Sequence, residues 1–385
     1  MKVCTLHGTK EERAELFEKV EEYDVILTTY GTLRNDFERY EELAFDYCII
    51  DEGQNIKNPL AQSSEAVKEV KAKVKFALTG TPIENNLMEL WSIFDFVMPG
   101  YLYNKSRFQE KFIGAKDDRA IAELKKLIRP FVLRRLKINV MKELPDKIEK
   151  KFFVEMTEEQ KKVYSTFVKD IQEKMENQDF SKDKITVFSY LTKLRQLCLD
   201  PSIIVDGYIG GSAKIDVALD IIKENIESNN KILLFSQFTS VLANIKEVLD
   251  HNNIGYYYLD GQTKASNRVN MVNSFNADKE KKVFLISLKA GGTGLNLTSA
   301  NIVVHFDPWW NPAIEDQATD RAHRIGQKNI VEVIKLISQG TVEEKIITMQ
   351  ESKKELINQV MEGDFKEGSF LKNLKDNEIV ELFKF

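Results

Sequence analysis

Cysteine and histidine are scarce in this chain. Its three cysteines, Cys4, Cys48 and Cys198, lie far apart among 385 residues. They build no disulfide framework, so a reducing compartment is expected. Its four histidines, His7, His251, His305 and His323, complete no zinc pattern with the cysteines, which leaves them surface or satisfied-core roles. No apolar run reaches the ~18 residues of a membrane span. The opening MKVCTLHGTKEERAEL lacks the apolar core of a signal peptide. A soluble cytoplasmic protein with no membrane partner is expected. An excess of positive charge is missing too: 55 Lys and Arg stand against 60 Asp and Glu, a formal charge of -5. That excludes a histone-like basic surface, and any contact with nucleic acid must come from a local positive face. The phosphate-loop pattern G-x-x-x-x-G-K-[ST] occurs nowhere.

Material for sizeable cores is present. Hydrophobic residues make up 43% and charged residues 30%, which is not a disordered composition. The length suggests about two to three domains. Two regions alternate strand-like and helix-like segments. In the first, Asp24 to Thr29, Phe45 to Ile50 and Phe76 to Leu78 are short β-prone runs, the last closed by Thr79-Gly-Thr-Pro82. A helix is expected there from Gln62 to Lys73. In the second, candidate strands are Lys231 to Ser236, Tyr256 to Leu259, Val283 to Ser287, Ile302 to Phe306 and Val331 to Ile337. Helical segments such as Val241 to His251 and Arg268 to Phe275 alternate with them. This alternation predicts parallel sheets covered on both faces. Between the regions, residues 85 to about 200 show almost no strand pattern after Phe96, but helical periodicity over Glu158 to Gln178 and Val187 to Cys198. A basic stretch crosses this part: residues 131–151 hold seven cations and three anions, a local excess of four. From about Val342 the chain reads as a charged helix and an acidic tail.

Several segments could carry chemistry. Asp51-Glu52 follows the apolar run Tyr47 to Ile50. Carboxylates at the C-terminal end of a parallel strand face the crevice where open α/β sheets bind ligands. There Asp51 can hold Mg²⁺ and Glu52 can position or deprotonate a water, or the pair simply opens a solvated loop. Thr79-Gly-Thr-Pro82 allows close backbone approach to a ligand, though an ordinary turn explains it as well. Ala290 to Leu297 is a Gly-rich loop after a strand. It does not fit G-x-G-x-x-G, because residue 297 is Leu, so a dinucleotide or nucleotide-sugar enzyme is disfavoured. Contact with a nucleic-acid backbone suits its exposed N–H groups better. In Gln317 to Gln327, Arg321 and Arg324 are three apart, and on a helix they would project from one face as an anion clamp. Phe306-Asp-Pro-Trp-Trp-Asn-Pro312 sets two of the three tryptophans side by side, either as a packing surface or as an aromatic patch near DNA.

Together these residues resemble the Swi/Snf family of DNA-translocating ATPases, in helicase superfamily two. Thr28-Thr-Tyr30, Asp51-Glu-Gly-Gln54 with Asn55 to Pro59, and Thr79-Gly-Thr-Pro82 resemble its first-lobe motifs. Phe131-Val-Leu-Arg-Arg135 with Leu144-Pro145 is similar to its interlobe linker, and Leu194-Arg-Gln-Leu197 with Pro201 to the helical insertion. Leu234 to Phe238, Leu259-Asp-Gly261, Ser287 to Leu297 and Gln317 to Gln327 resemble its second-lobe motifs, with Asp320-Arg-Ala-His-Arg-Ile-Gly-Gln327 the most specific. The resemblance covers nearly the whole chain. It implies an α/β fold of two RecA-like parallel-sheet lobes with a helical insertion between them, ATP with Mg²⁺ in the cleft, and duplex DNA across both lobes. It implies catalytic roles for Asp51 (with Mg²⁺), Glu52, Gln54, Arg321 and Arg324, the last two as arginine fingers. Nucleotide contacts are implied for Gly294, Gln317 and Asp320. DNA contacts are implied for Thr28, Thr29, Tyr30, Ser287, Lys289, Gly291, Thr293 and Trp310, and coupling for Thr79, Gly80 and Thr81.

Two features depart from the family pattern. Gln54 stands where many relatives have His, and either side chain can hydrogen-bond across the cleft. The Walker-A loop is absent, and with it the first strand of lobe one. The expected organisation is therefore an incomplete first lobe over residues 1–130, a basic linker and helical insertion over 131–205, a second lobe over 206–341, and a helical brace and tail over 342–385. The expected function is an ATP-dependent duplex-DNA translocase or remodeller, completed by a polypeptide that supplies the rest of lobe one. The alternative is a non-catalytic DNA- or partner-binding fragment of such a protein.

Overall fold

The computed structural model describes residues 1–80, 87–114, 118–133, 135, 137, 141, 143–177, 184–291 and 294–351. These residues divide into two units, one within residues 1–134 and one from residue 135 onward.

The first unit carries two pairs of parallel strands. β1 (Val3–Thr5) pairs with β2 (Val25–Leu27), with Cys4 opposite Ile26. β3 (Ala44–Ile50) pairs with β4 (Lys71–Ala77), with Ile50 opposite Ala77. Helices separate the strands, as parallel connection requires. α1 (Lys10–Phe17) starts at a capping box between Thr9 and Glu12. α2 (Tyr30–Asn35) follows β2, α3 (Gln62–Glu69) precedes β4, and α4 (Leu87–Val97) comes after it. Ile50, Val67, Ile93 and Phe96 close a core on one side of β3 and β4. The opposite side of those strands is open: Tyr47 is 64% exposed, Ile49 62%, Phe76 48% and Val74 42%. Tyr47 and Phe76 stack across it at 6.4 Å. Parallel strands are normally covered on both faces, so this bare apolar face is unusual.

The expected helix from Gln62 to Lys73 ends early. It stops at Glu69, and Lys71–Ala77 is strand. Lys71, Lys73 and Lys75 alternate with Ala72, Val74 and Phe76, a period of two that overrides the helical reading. β1 was also not anticipated; three residues are too few for a periodic signal.

The second unit holds one six-stranded sheet in the order β5-β10-β9-β6-β8-β7, and every pairing is parallel. Its strands are β5 (Lys147–Val154), β6 (Ile232–Ser236), β7 (Tyr256–Leu259), β8 (Val283–Ser287), β9 (Ile302–His305) and β10 (Val331–Ser338). The central strands β6, β8 and β9 are buried throughout, as near-continuous Val, Ile, Leu and Phe runs should be between two helical layers. Around the sheet lie α5 (Glu158–Asn177), α6 (Lys184–Leu199), α7 (Ala213–Glu227), α8 (Thr239–His251), α9 (Ala265–Ala277) and α10 (Pro312–Thr319).

β5 is a strand in the part of the chain that shows almost no strand pattern after Phe96. The basic stretch contributes it, pairing Lys147 through Val154 with Val331 through Ser338. It is an edge strand, and its charges hid its pattern. Lys150 meets Glu332 across the pair at 2.7 Å. Among the described residues, no helix is long and apolar enough to cross a membrane.

Candidate functional site

In the first unit, candidate residues gather at the C-terminal ends of β2, β3 and β4. This is the edge where parallel sheets offer ligand crevices. Thr28 and Thr29 are exposed beyond β2. Thr29 caps α2, its hydroxyl accepting from the Thr32 N–H at 3.1 Å. Tyr30 donates its hydroxyl to the Asp51 carbonyl at 2.7 Å, tying the end of β2 to that of β3. Burial, with the Asp51 charge second, pushes the Tyr30 phenol up to about 12, so it stays a donor across the neutral range. Beyond β3, the Asp51 carboxylate is exposed, with Oδ1 accepting from the Glu52 N–H at 2.8 Å.

Glu52 has left-handed backbone angles, φ 51° and ψ 53°. Such a conformation is uncommon for a glutamate and clusters at functional sites. Gln54 Nε2 donates to Glu52 Oε2 at 2.5 Å, and Thr79 Oγ1 donates to Gln54 Oε1 at 2.8 Å. The Gly53 N–H donates to the Leu78 carbonyl, and the Leu78 N–H to the Ile50 carbonyl, each at 2.8 Å. The acid box is therefore fastened to the Thr79 turn by side chain and by backbone. Gly80 faces open space, with nothing within 4 Å of where a Cβ would stand. Thr81 lies outside the described residues.

In the second unit, the ends of β9, β6 and β8 stand side by side. Ser287 ends β8 and is buried, and Lys289 beyond it is exposed. Gly291 is packed so closely that a Cβ would come within 2.8 Å of the Phe235 ring. Gly294 has a φ of 46°, which favours glycine. Thr293 lies outside the described residues. Gln317 is partly exposed on α10.

Arg321 and Arg324 do not share a helix face as expected. α10 ends at Thr319, and both arginines follow in a turn. Arg321 is 9% exposed, and its Nε donates to the Gly291 carbonyl at 3.1 Å. The Leu297 N–H donates to the Arg321 carbonyl at 2.9 Å, so this turn and the Gly-rich loop hold each other. Arg324 is exposed. Gln327 is structural: it donates to the Ala300 and Ala322 carbonyls and accepts from the Lys328 and Asn329 N–H groups.

The basic stretch also reaches this turn, which sequence reading missed. Lys137 Nζ meets Asp320 Oδ1 at 2.7 Å and also donates to the His323 carbonyl. His323 Nε2 donates to the Pro145 carbonyl at 2.8 Å. His305 is a satisfied core residue, 2.9 Å from Thr319 Oγ1. Burial pulls its imidazole down to about 4.

The residues fit part of a Mg²⁺-nucleotide site. An exposed carboxylate at a strand end suits a hard cation, and a positioned second carboxylate suits a water. A Gly-rich cradle with its Lys for the β- and γ-phosphates is absent from the 385 residues.

Comparison with known proteins gives a consistent result. The model of the SNF2-related domain matches residues 1–203, and that of the helicase conserved C-terminal domain matches residues 213–326. An uncharacterized ATP-dependent helicase of Mycoplasma genitalium is 39% identical over 387 residues, spanning 100% of this chain and 37% of its own length. A TATA-binding protein-associated factor of Saccharomyces cerevisiae is 32% identical over 446 residues, covering 100% of this chain and 24% of itself. Among solved structures, the Sulfolobus solfataricus SWI2/SNF2 ATPase core in complex with double-stranded DNA is similar, with a TM-score of 0.52 and 38% identity over 99% of this chain and 81% of that one. The chain thus spans less than two fifths of the M. genitalium relative.

Proposed function

The chain belongs to the SNF2-related family of superfamily-two helicase proteins, with its two RecA-like parallel-sheet units, and we propose that it is the part of an ATP-driven duplex-DNA translocase that positions the attacking water and engages DNA. The observation that carries this is the chain of hydrogen bonds from Glu52 through Gln54 to Thr79. Phosphoryl transfer is catalysed mostly by positioning and electrostatics. Glu52 orients and deprotonates the water, and Gln54 holds its carboxylate in one direction. Asp51 is the Mg²⁺ ligand. The Thr79 turn couples that water's environment to the rest of the lobe, together with Gly80 and Thr81.

Exposed Arg324 supplies countercharge for the transition state. Arg321 shapes the turn from which it projects, through its bond to Gly291. Gly294, Gln317 and Asp320 serve the nucleotide. Thr28, Thr29, Tyr30, Lys289, Thr293 and Trp310 serve duplex DNA, which the Sulfolobus relative was solved with, and buried Ser287 and Gly291 serve it by shaping the segment that presents Lys289. When bound, Mg²⁺ with ATP supplies the transferable phosphoryl group. Its cradle comes from a further polypeptide segment, in keeping with the much greater length of the relatives. The lack of a cradle within the 385 residues also favours a second reading, a DNA- or partner-binding module without turnover.

Phosphate release with and without duplex DNA tests the first reading. The 385 residues alone should show no DNA-stimulated hydrolysis. A protein extended by the phosphate-loop segment should turn over, and Glu52→Gln should abolish it. Arg324→Ala should cost at least about 10³-fold, as expected of an arginine finger. Glu52-dependent turnover by the 385 residues alone would overturn the assignment of the cradle. An extended protein that stays inactive would leave the binding-module reading.

A further inference from the structure

Arg195 on α6 has no part in the nucleotide or DNA assignments above, yet only 2% of it is exposed. Burying a guanidinium is costly, and a well-packed hydrophobic side chain in its place is often neutral or stabilising. This one is heavily engaged. Nη1 donates to Gln237 Oε1 at 2.8 Å, and Nη2 donates to Asp307 Oδ2 at 3.0 Å and to the Pro308 carbonyl at 2.8 Å. The rings of Phe238, Trp309 and Trp310 lie 5.1, 5.4 and 5.7 Å from its Cζ. Asp307 Oδ1 is fixed in turn by the Ser236 hydroxyl at 2.6 Å and the Gln237 N–H at 3.1 Å.

One side chain thus joins a helix to the loops that follow β6 and β9, which are neighbours in the sheet. A Leu or Met could fill the same space. Only an arginine has a planar fork that fixes several acceptors in one geometry while its face stacks on aromatic rings. The element that gains direction is the turn Pro308–Trp310, which takes one bond at its Pro308 carbonyl and two ring contacts from the same guanidinium.

We propose that Arg195 is a positioning residue of the Pro308–Trp310 turn, where Glu315 also accepts from the Trp309 N–H at 2.6 Å and Gln350 donates to the Trp309 carbonyl, and that Arg195 holds Trp310 in the orientation in which the second unit meets duplex DNA. This rests on the reading above in which Trp310 contacts DNA. The role is indirect: Arg195 itself does not touch the duplex.

A double-mutant cycle on the full chain tests it, with duplex affinity read by fluorescence anisotropy at fixed salt and urea unfolding run in parallel. Trp310→Ala and Arg195→Lys should each weaken binding about tenfold, and the double variant should bind no more weakly than Trp310→Ala alone. A merely structural arginine would lower affinity by the same factor in both backgrounds. Losses that multiply, or a Trp310→Ala variant that binds like wild type, would overturn the proposal. Should Arg195→Lys fail to fold, Gln237→Ala decides. It removes one acceptor and leaves the Asp307 pair, and its loss, about threefold, should likewise vanish beside Trp310→Ala. Wild-type protein without duplex affinity would overturn the DNA reading and this proposal together. Duplex binding with multiplied losses would overturn this proposal alone.

Discussion

A line of hydrogen bonds runs from Thr79 through Gln54 to Glu52. Gln54 is the member that both donates and accepts, so it cannot be replaced by a residue that does only one. Gln54→Glu would set a second carboxylate against Glu52. In the extended protein it should lower kcat by about tenfold or more while leaving the unfolding midpoint within error, since positioned groups lose rate when misdirected. Steady-state kinetics beside urea unfolding checks this. The two arginines make a contrasting pair. Arg321→Ala leaves the Gly291 carbonyl without the guanidinium bond and should cost about 1–3 kcal/mol of stability. Arg324→Ala, on an exposed side chain, should cost almost none; urea midpoints of both variants decide. His305 adds a pH dependence. Its folded-state pKa, about 4, lies below the ordinary 6.5 because burial disfavours the charged ring. The unfolded chain therefore binds the extra proton first. The stability contribution is complete above about pH 6.5 and is lost as pH falls from there towards 4, by about 1.4 kcal/mol per pH unit within that window. Stability measured from pH 4 to 7 should be less steep in His305→Gln than in wild type.

At the scale of elements, β3 and β4 are the notable pair. They carry the acid box and the Thr79 turn at their C-terminal ends, and leave one apolar face uncovered. An exposed sheet face with Tyr47, Ile49, Val74 and Phe76 invites self-association. Replacing Tyr47 and Phe76 by Lys should reduce aggregation of the 385-residue chain, read by light scattering, with little change in its unfolding midpoint. Unchanged aggregation would show that this face is not responsible. β5 also exposes apolar side chains, Ile148, Phe152 and Phe153, but sets lysines and a glutamate among them. It is a charged edge strand, and its pairs with β10 are reinforced by Lys150 and Glu332, in keeping with the way charges protect sheet edges.

For the whole molecule, net charge is -5, so attraction to DNA cannot come from overall charge. In the proposed reading it comes from local donors such as exposed Lys289. Contacts of this kind go to phosphates, which makes affinity fall steeply with salt and depend little on sequence. Lys289→Ala should weaken binding to all duplexes alike and reduce the salt slope by about one. A titration series over salt, with duplexes of different sequence, checks both.

The sequence by itself determined the central strands of the second unit, because β6, β8 and β9 are buried runs whose apolar character cannot serve elsewhere. It determined the acid pair at the end of β3 for the same reason: the strand's end is where the apolar residues stop. It also determined the family, through motifs such as Asp320 to Gln327. Tertiary structure decided what depends on partners distant in the chain. Lys147–Val154 is a strand only because β10 lies beside it. Arg321 is half of a loop-to-turn bond because Gly291 leaves no room for a Cβ yet presents its carbonyl. Arg195 acquires its direction from Asp307, more than a hundred residues away. Local patterns record which face of a segment is apolar. They do not record which distant group a polar side chain will meet, and polar function in this protein is set by those meetings.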